Sequence, residues 1–347
     1  MGQGTGTSAD AENEVAALVS ELIRIDTTNY GDDSGPGEID AADYCAMRLR
    51  EVGLDPYRFS TTSDRRAGVV VRIEGRNPDL PALLVHGHLD VVPAPEDGWK
   101  YPPLSGEIDE DGMLWGRGAV DMKDMVGMTL AVVRSWARRG VRPRRDIVVL
   151  FVPDEEAGCV QGSHWLVRHR PELLAGVGEA IGEVGGFSVA LDPRHRIYPI
   201  QTAEKGIAWL RLTATGQSGH GSLVAIDNAI TRLAGAVTRI SEHRWPPRLT
   251  SAMRQLIAVI EEVTDQPLDL DDPESLRVRF GSLGRVLEST SRNTANATML
   301  HAGYKHNVIP CSASASIDAR FLPDDEGEMI AELELLAGEG IHHELIH

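Results

Sequence analysis

Positive charge is in short supply in this chain. Against 52 Asp and Glu residues stand 34 Lys and Arg, a formal charge of −18 over 347 residues. So acidic a surface repels phosphate backbones and anionic headgroups, which argues against a nucleic-acid or membrane partner. Cysteine is scarcer still: Cys45, Cys159 and Cys311 are far apart, odd in number and form no C-x-x-C. That leaves no disulfide framework and no cysteine-built zinc site, and it suits a reducing, cytoplasmic location. No apolar run reaches the ~20 residues that span a bilayer. The Gly/Ser/Thr-rich start, Met1 to Ala11, lacks the basic and apolar regions of a signal peptide. G-x-S-x-G, G-x-G-x-x-G and Walker A strings are also missing, so serine hydrolase, dinucleotide and P-loop chemistries have no foothold.

What is present is enough apolar residue, 42%, for a substantial core in one large or two ordinary domains. Helical spacing of Val15, Leu18, Val19, Leu22 and Ile23 predicts a helix over 10–25, and a second is expected over 40–52. Strands are expected at 68–73, 82–85, 146–152 and 179–184, with helices over 123–139, stopped by Gly140, and around 163–169. Strands alternating with helices indicate an α/β fold with a largely parallel sheet and flanking helices. After Lys205 the texture changes. Alternation at Ala208, Leu210, Leu212 and Ala214, and again from Ala313 to Phe321, flanks helices over about 226–240 and 249–263. This reads as an inserted α+β unit over 206–322. The catalytic domain would then occupy 1–205 and resume at 323–347.

The chemistry-bearing residues fall just beyond the apolar strands. Ala82–Val85 runs into His86-Gly-His88-Leu-Asp90, and Trp115-Gly-Arg-Gly-Ala-Val-Asp121-Met-Lys123 follows. The strand ending at Val152 leads into Pro153-Asp-Glu155-Glu156, and the next ends at Glu183-Val-Gly185-Gly186. Ligands of open α/β sheets bind beyond the carboxyl ends of the strands. Carboxylates gathered there would repel one another unless divalent cations neutralised them.

The ordered strings H-G-H-x-D, G-R-G-x-x-D-x-K, D-E-E and E-x-G-G resemble the M20 family of dinuclear zinc metallohydrolases, which includes carboxypeptidases, aminoacylases, deacylases and dipeptidases. The likeness runs from Leu22 to about Leu322. It implies hydrolysis of a peptide or N-acyl amino acid bond with two divalent ions, zinc expected and Co²⁺ or Mn²⁺ able to substitute. Asp121 would bridge the ions, His88 and Glu183 would complete one, and Glu156 would bind the other. Asp90 would orient His88, and Glu155 would be the general base that relays a proton from water to the leaving amine. In the inserted unit, His220 in Gly216-Gln-Ser-Gly-His220-Gly-Ser222 resembles a lid histidine that stabilises the oxyanion across a homodimer interface. Asn307 and Arg320 resemble substrate-holding residues, the guanidinium clamping a free carboxylate on a small amide or peptide substrate.

One further histidine ligand that the resemblance calls for, beyond the lid, is not found. The chain is therefore expected to stop soon after re-entering its first domain. Two other readings stand beside the main one. A catalytically weakened relative could serve as a metal-binding or dimeric interaction protein. Alternatively, His343-Glu344-Leu-Ile-His347 matches H-E-x-x-H, a zinc-protease helix. Taken singly the site residues have plainer roles: Asp121 as a helix cap, Arg320 paired with Asp318 or Asp324.

Overall fold

The structure, a computed structural model, describes residues 7–95, 97–183 and 188–346. The chain divides into two compact units, Met1–Val184 and Gly185–His347.

The first unit is built on a five-stranded sheet in the order β1-β2-β4-β3-β5. Strands β1 (Tyr57–Ser60) and β2 (Ala67–Ile73) pair antiparallel, as do β2 and β4 (Ile147–Val152). Strand β3 (Ala82–His88) runs parallel to both β4 and β5 (Val177–Ile181). The sheet is thus mixed where a largely parallel one was expected, and its parallel half carries the chemistry-bearing turns at one edge. Every residue of β4, Ile-Val-Val-Leu-Phe-Val, is buried. Ile147, Val149 and Phe151 face a core shared with helices α1 (Thr7–Ile23), α2 (Ile39–Arg50) and α3 (Lys123–Arg138). Val148, Leu150 and Val152 face the opposite core, where Leu166 of α4 (Ser163–His169) packs. A strand covered on both faces has no need of polar alternation, which is why the run is continuous. Helix α3 buries Val126, Leu130 and Val133 and ends before Gly140, whose φ of +61° suits a residue without Cβ. The fully buried Lys123 donates to the carbonyls of Leu22 (3.0 Å) and Ile25 (2.8 Å), tying α3 to the end of α1.

The second unit carries a four-stranded antiparallel sheet in the order β7-β8-β6-β9. Here β6 is Gly206–Thr215, β7 Thr294–Ala302, β8 Ser312–Phe321 and β9 Ile341–Leu345. The alternation read from the sequence is one buried face: Leu210 lies opposite Ile317 and Leu212 opposite Ala315. Helices α5 (Ala229–Glu242) and α9 (Glu326–Ala337) complete that core through Leu233, Ile240, Met329 and Leu333. Helices α6 (Ser251–Thr264), α7 (Pro273–Phe280) and α8 (Ser282–Thr290) accompany a smaller apolar cluster containing Ile257, Ile260 and Leu287. Asn228, Thr250 and Asp272 cap α5, α6 and α7 by accepting from backbone amides.

Two expectations about the chain's last residues are corrected. Residues 326–345 do not resume the first domain: α9 belongs to the second core, and β9 adds to the second sheet by pairing with β6. Nor is His343-Glu344 on a zinc-binding helix. In a strand neighbouring side chains face opposite ways; His343 meets Glu334 of α9 at 2.9 Å, and Glu344 meets Arg211 of β6 at 3.3 Å. His347 lies outside the described residues.

Because Leu333 is fully enclosed by the second core, Leu333→Ala should cost roughly 2–5 kcal/mol. Hydrogen exchange should quicken in β6 and β8 and leave β3 and β4 unchanged. Equal loss of protection in β3 would contradict this assignment of α9.

Candidate metal centre

Three strand ends of the first unit build the site. His88, the last residue of β3, is 1% exposed. Its Nδ1 lies 2.9 Å from the backbone carbonyl of Asp90, so that nitrogen carries hydrogen and donates. Its Nε2 faces Asp121 Oδ1 at 3.0 Å and Glu155 Oε2 at 3.8 Å. The Asp90 carboxylate lies 3.5 Å from His88 Nδ1 and has a second task. Its two oxygens accept the backbone amides of Glu155 and Glu156, each at 3.0 Å, which fixes the turn that follows β4. Asp154 enters that turn at φ +67°, a left-handed conformation that Asp tolerates better than most residues. Asp121 precedes α3, whose N-cap residue is Met122, with no side-chain cap; the plainer role of Asp121 as a helix cap is not what the structure shows. Glu183 follows β5 and bonds to Asp121, while Gly185 and Gly186 of its motif lie outside the described residues.

Two groups of donor atoms result. His88, Asp121 and Glu183 each offer an atom within 4.8 Å of the others, and so do His88, Glu155 and Glu156. One imidazole shared between carboxylate sets is a donor chemistry that suits Zn²⁺, Co²⁺ or Mn²⁺.

In the second unit, a two-strand ladder pairs Gly219–His220 with Val308–Ile309. It brings the side chains of His220 and Asn307 together, His220 Nε2 and Asn307 Nδ2 being 3.4 Å apart, with Ser222 Oγ 2.8 Å from His220 Nδ1. Arg320, on β8, donates to both carboxylate oxygens of Asp318, at 2.6 and 2.9 Å, the plainer of the roles considered for it.

Residues 84–343 match the model of peptidase family M20/M25/M40. The chain belongs to peptidase family M20. It is 30% identical over 342 residues to aminoacylase-1 of Sus scrofa, covering 97% of this chain and 74% of that protein. It is 32% identical to the Homo sapiens N-fatty-acyl-amino acid synthase/hydrolase PM20D1, covering 75% of this chain and 53% of that one. Among solved structures, the di-peptidase Dug1p of Saccharomyces cerevisiae superposes with a TM-score of 0.71 at 18% identity, over 98% of this chain and 78% of its own. The metallo-carboxypeptidase Sso-CP2 of Sulfolobus solfataricus gives 0.67 at 21%, over 95% and 77%. These two likenesses show a shared fold. Membership of the family makes this M20 chain a hydrolase of amide bonds.

Without a cation the M20 site is electrostatically frustrated. Burial disfavours the His88 cation, but the hydrogen bond to Asp121 and the nearby Asp90 outweigh it and push the imidazole up to about 11. Burial first, and then the charge of Asp121, push Glu156 and Glu183 up to about 7 each. Each shift favours taking up a proton where a divalent ion would otherwise offset the carboxylate charge.

Sequence reasoning passed over the support behind the turn. Asn29, Glu38, Arg66 and Asp154 are all buried and hydrogen-bonded or ion-paired to one another. Asp154 stood in the D-E-E string, but nothing local in the sequence marks the other three.

The shifts fix a pH slope. Glu156 and Glu183, raised from 4.5, contribute stability that is complete below about 4.5 and lost as pH rises through about 7. His88, raised from 6.5, contributes stability complete below 6.5 and lost as pH rises through about 11. All three slopes have one sign, so the melting temperature of chelator-stripped protein should fall between about pH 5 and about pH 9, and Zn²⁺ should flatten the decline. A stripped protein that melts higher at the alkaline end would contradict these assignments.

Proposed function

We propose that this M20 chain removes an acyl or aminoacyl group from small substrates with a free carboxylate, using two divalent cations. The observation that carries the reading is the pair of three-donor groups meeting at His88. Asp121 would be the bridging ligand: it touches His88 directly, and its charge is the strongest neighbouring influence on Glu156. His88 and Glu183 would complete one position and Glu156 would serve the other. Zinc is favoured by the donor set. When bound, the cations would polarise the scissile carbonyl and acidify a water.

Glu155 is the general base. The Asp90 carboxylate holds its amide, so the turn sends the side chains of Glu155 and Glu156 to adjacent positions with separate tasks. The Glu155 carboxylate takes a proton from the attacking water and passes it to the nitrogen of the departing amine as the C–N bond breaks. Asp90 keeps His88 in the tautomer that turns Nε2 toward the site. His220 and Asn307, already side by side, stabilise the oxyanion and position the substrate. Arg320 turns from Asp318 to the substrate carboxylate.

A homodimer is part of this reading. Strands β7 and β9 are the free edges of the second sheet, and β7 exposes Met299 and Leu300. His220 then acts in the partner's site. The described cysteines are free thiols, which suits the cytoplasm.

Glu155→Gln should lower kcat by about 10²–10⁴ on an N-acyl amino acid or dipeptide while leaving bound metal unchanged. Two bound metals with no hydrolysis of any amide by the native protein would end the catalytic reading. Replacing Arg320 by Ala should raise KM for carboxylate substrates and leave their amidated counterparts unaffected. For the dimer, co-expressing Glu155→Gln with His220→Ala chains should restore about a quarter of native activity, the share of intact sites expected from random pairing. No recovery in confirmed mixed dimers would place His220 in its own chain's site.

A further inference from the structure

We propose that Asn29, held in place by Arg66, is a positioning residue for the Glu155–Glu156 turn and thereby sets the affinity of the cation bound by Glu156. The inference rests on the two-cation reading above.

The geometry accounts for the whole Asn29 side chain. Its Nδ2 donates to Asp90 Oδ2 at 2.8 Å and to Asp154 Oδ1 at 3.2 Å. Its Oδ1 accepts from the amide of Gly31 at 3.0 Å and from Arg66 Nη2 at 3.1 Å. Only one orientation of the amide satisfies this arrangement, with NH₂ toward two carboxylates and oxygen toward a guanidinium and an N–H. The backbone is tied down too, since the Asn29 amide donates to the Val91 carbonyl at 2.9 Å, one residue beyond Asp90.

Asp90 Oδ2 is the shared atom. It accepts Asn29 Nδ2 at 2.8 Å and the Glu156 amide at 3.0 Å. Asp154, the other carboxylate under Asn29, opens the same turn and accepts the Gln161 amide at 2.7 Å. Both anchors of the Glu155–Glu156 backbone therefore lean on one amide group. Behind it Arg66 is 5% exposed and bonds to the fully buried Glu38 and to Asp33 (3.1 Å), with Asp154 Oδ1 at 3.8 Å. A guanidinium facing three carboxylates and the Asn29 oxygen cannot turn over without breaking several charge-assisted bonds. Removing the amide takes away the shared donor between Asp90 Oδ2 and Asp154 Oδ1, leaves the two carboxylates to repel each other and turn toward other donors, and the Glu156 amide moves with Asp90. The His88–Asp121–Glu183 group has a further anchor, the Asp90 backbone carbonyl 2.9 Å from His88 Nδ1, nearer than the Asp90 carboxylate at 3.5 Å and not touched by Asn29. One ion should therefore respond more than the other.

The test is titration of chelator-stripped protein with Zn²⁺ alone against a competing chelator, with Glu156→Gln as the benchmark for loss of that ion. Native protein should bind two Zn²⁺. Asn29→Ala should keep one tight site and weaken the other about tenfold or more, reproducing the Glu156→Gln pattern. Arg66→Lys should weaken the same ion to a smaller degree and carries the test on the same terms should Asn29→Ala fail to fold, as judged by circular dichroism of the stripped form. A purely structural role would lower the melting temperature and leave both Zn²⁺ affinities as they were; that result overturns the inference and leaves the two-cation reading standing. Equal weakening of both ions also overturns it. Native protein that binds fewer than two Zn²⁺ would sink the underlying reading, and the inference with it.

Discussion

The site depends on one buried carboxylate. Asp90 is completely enclosed, and burial alone would drive a proton back onto it. Its pKa is nevertheless held below the usual range, because His88, Asn29 and the Glu155 amide favour the charged form. A buried anion tolerates enclosure only when its lone pairs are met, and here the groups that meet them are the ones the site must place. The Asp90 backbone carbonyl sets the His88 ring, and its side chain sets the amides of Glu155 and Glu156. One residue thus couples the end of β3 to the end of β4. Parallel pairing of those strands, with His88 opposite Val152, brings the two turns to the same edge.

How much of this was legible follows from where the signal lives. The runs Ala82–Val85 and Asp146–Val152 read as strands, and the ionisable residues directly after each could be placed at a sheet edge from the sequence alone. Alternation did the same for β6 and β8. Strand β7 was invisible because it is almost wholly exposed along its length, with no periodic burial to impose a pattern. Strand β9 was worse than invisible: Ile-His-His-Glu-Leu holds the start of a metal-binding string, and only its pairing with β6 makes it a strand. Five residues have weak local preference, and the tertiary partner decides. Asn29 and Arg66 escaped notice because their role rests on side-chain contacts across 28 to 125 positions of sequence. No spacing rule reaches that far.

The charge arrangement explains why the network has two layers. Asp121, Glu155, Glu156 and Glu183 contribute four carboxylates to the donor groups, with His88 neutral when it ligates. On the two-cation reading proposed above, two dications would balance four carboxylates without help from any protein cation. Arg66 is therefore not needed at the front of the site, and it is not found there: its partners are Glu38, Asp33, Asp154 and Asn29. Glu38 and Asp154 lie behind the turn, where an ion cannot neutralise them and where burial leaves little water to do so, while Asp33 reaches solvent. Asn29 is the neutral group between the layers. An amide can give hydrogen bonds to Asp90 and Asp154 on one side and accept from Arg66 on the other, which neither a carboxylate nor an ammonium could do at that position. An aspartate there would face two carboxylates at hydrogen-bond distance, and a lysine would set its charge against the guanidinium. The chemistry of the position accordingly restricts it to a side chain that both donates and accepts without charge.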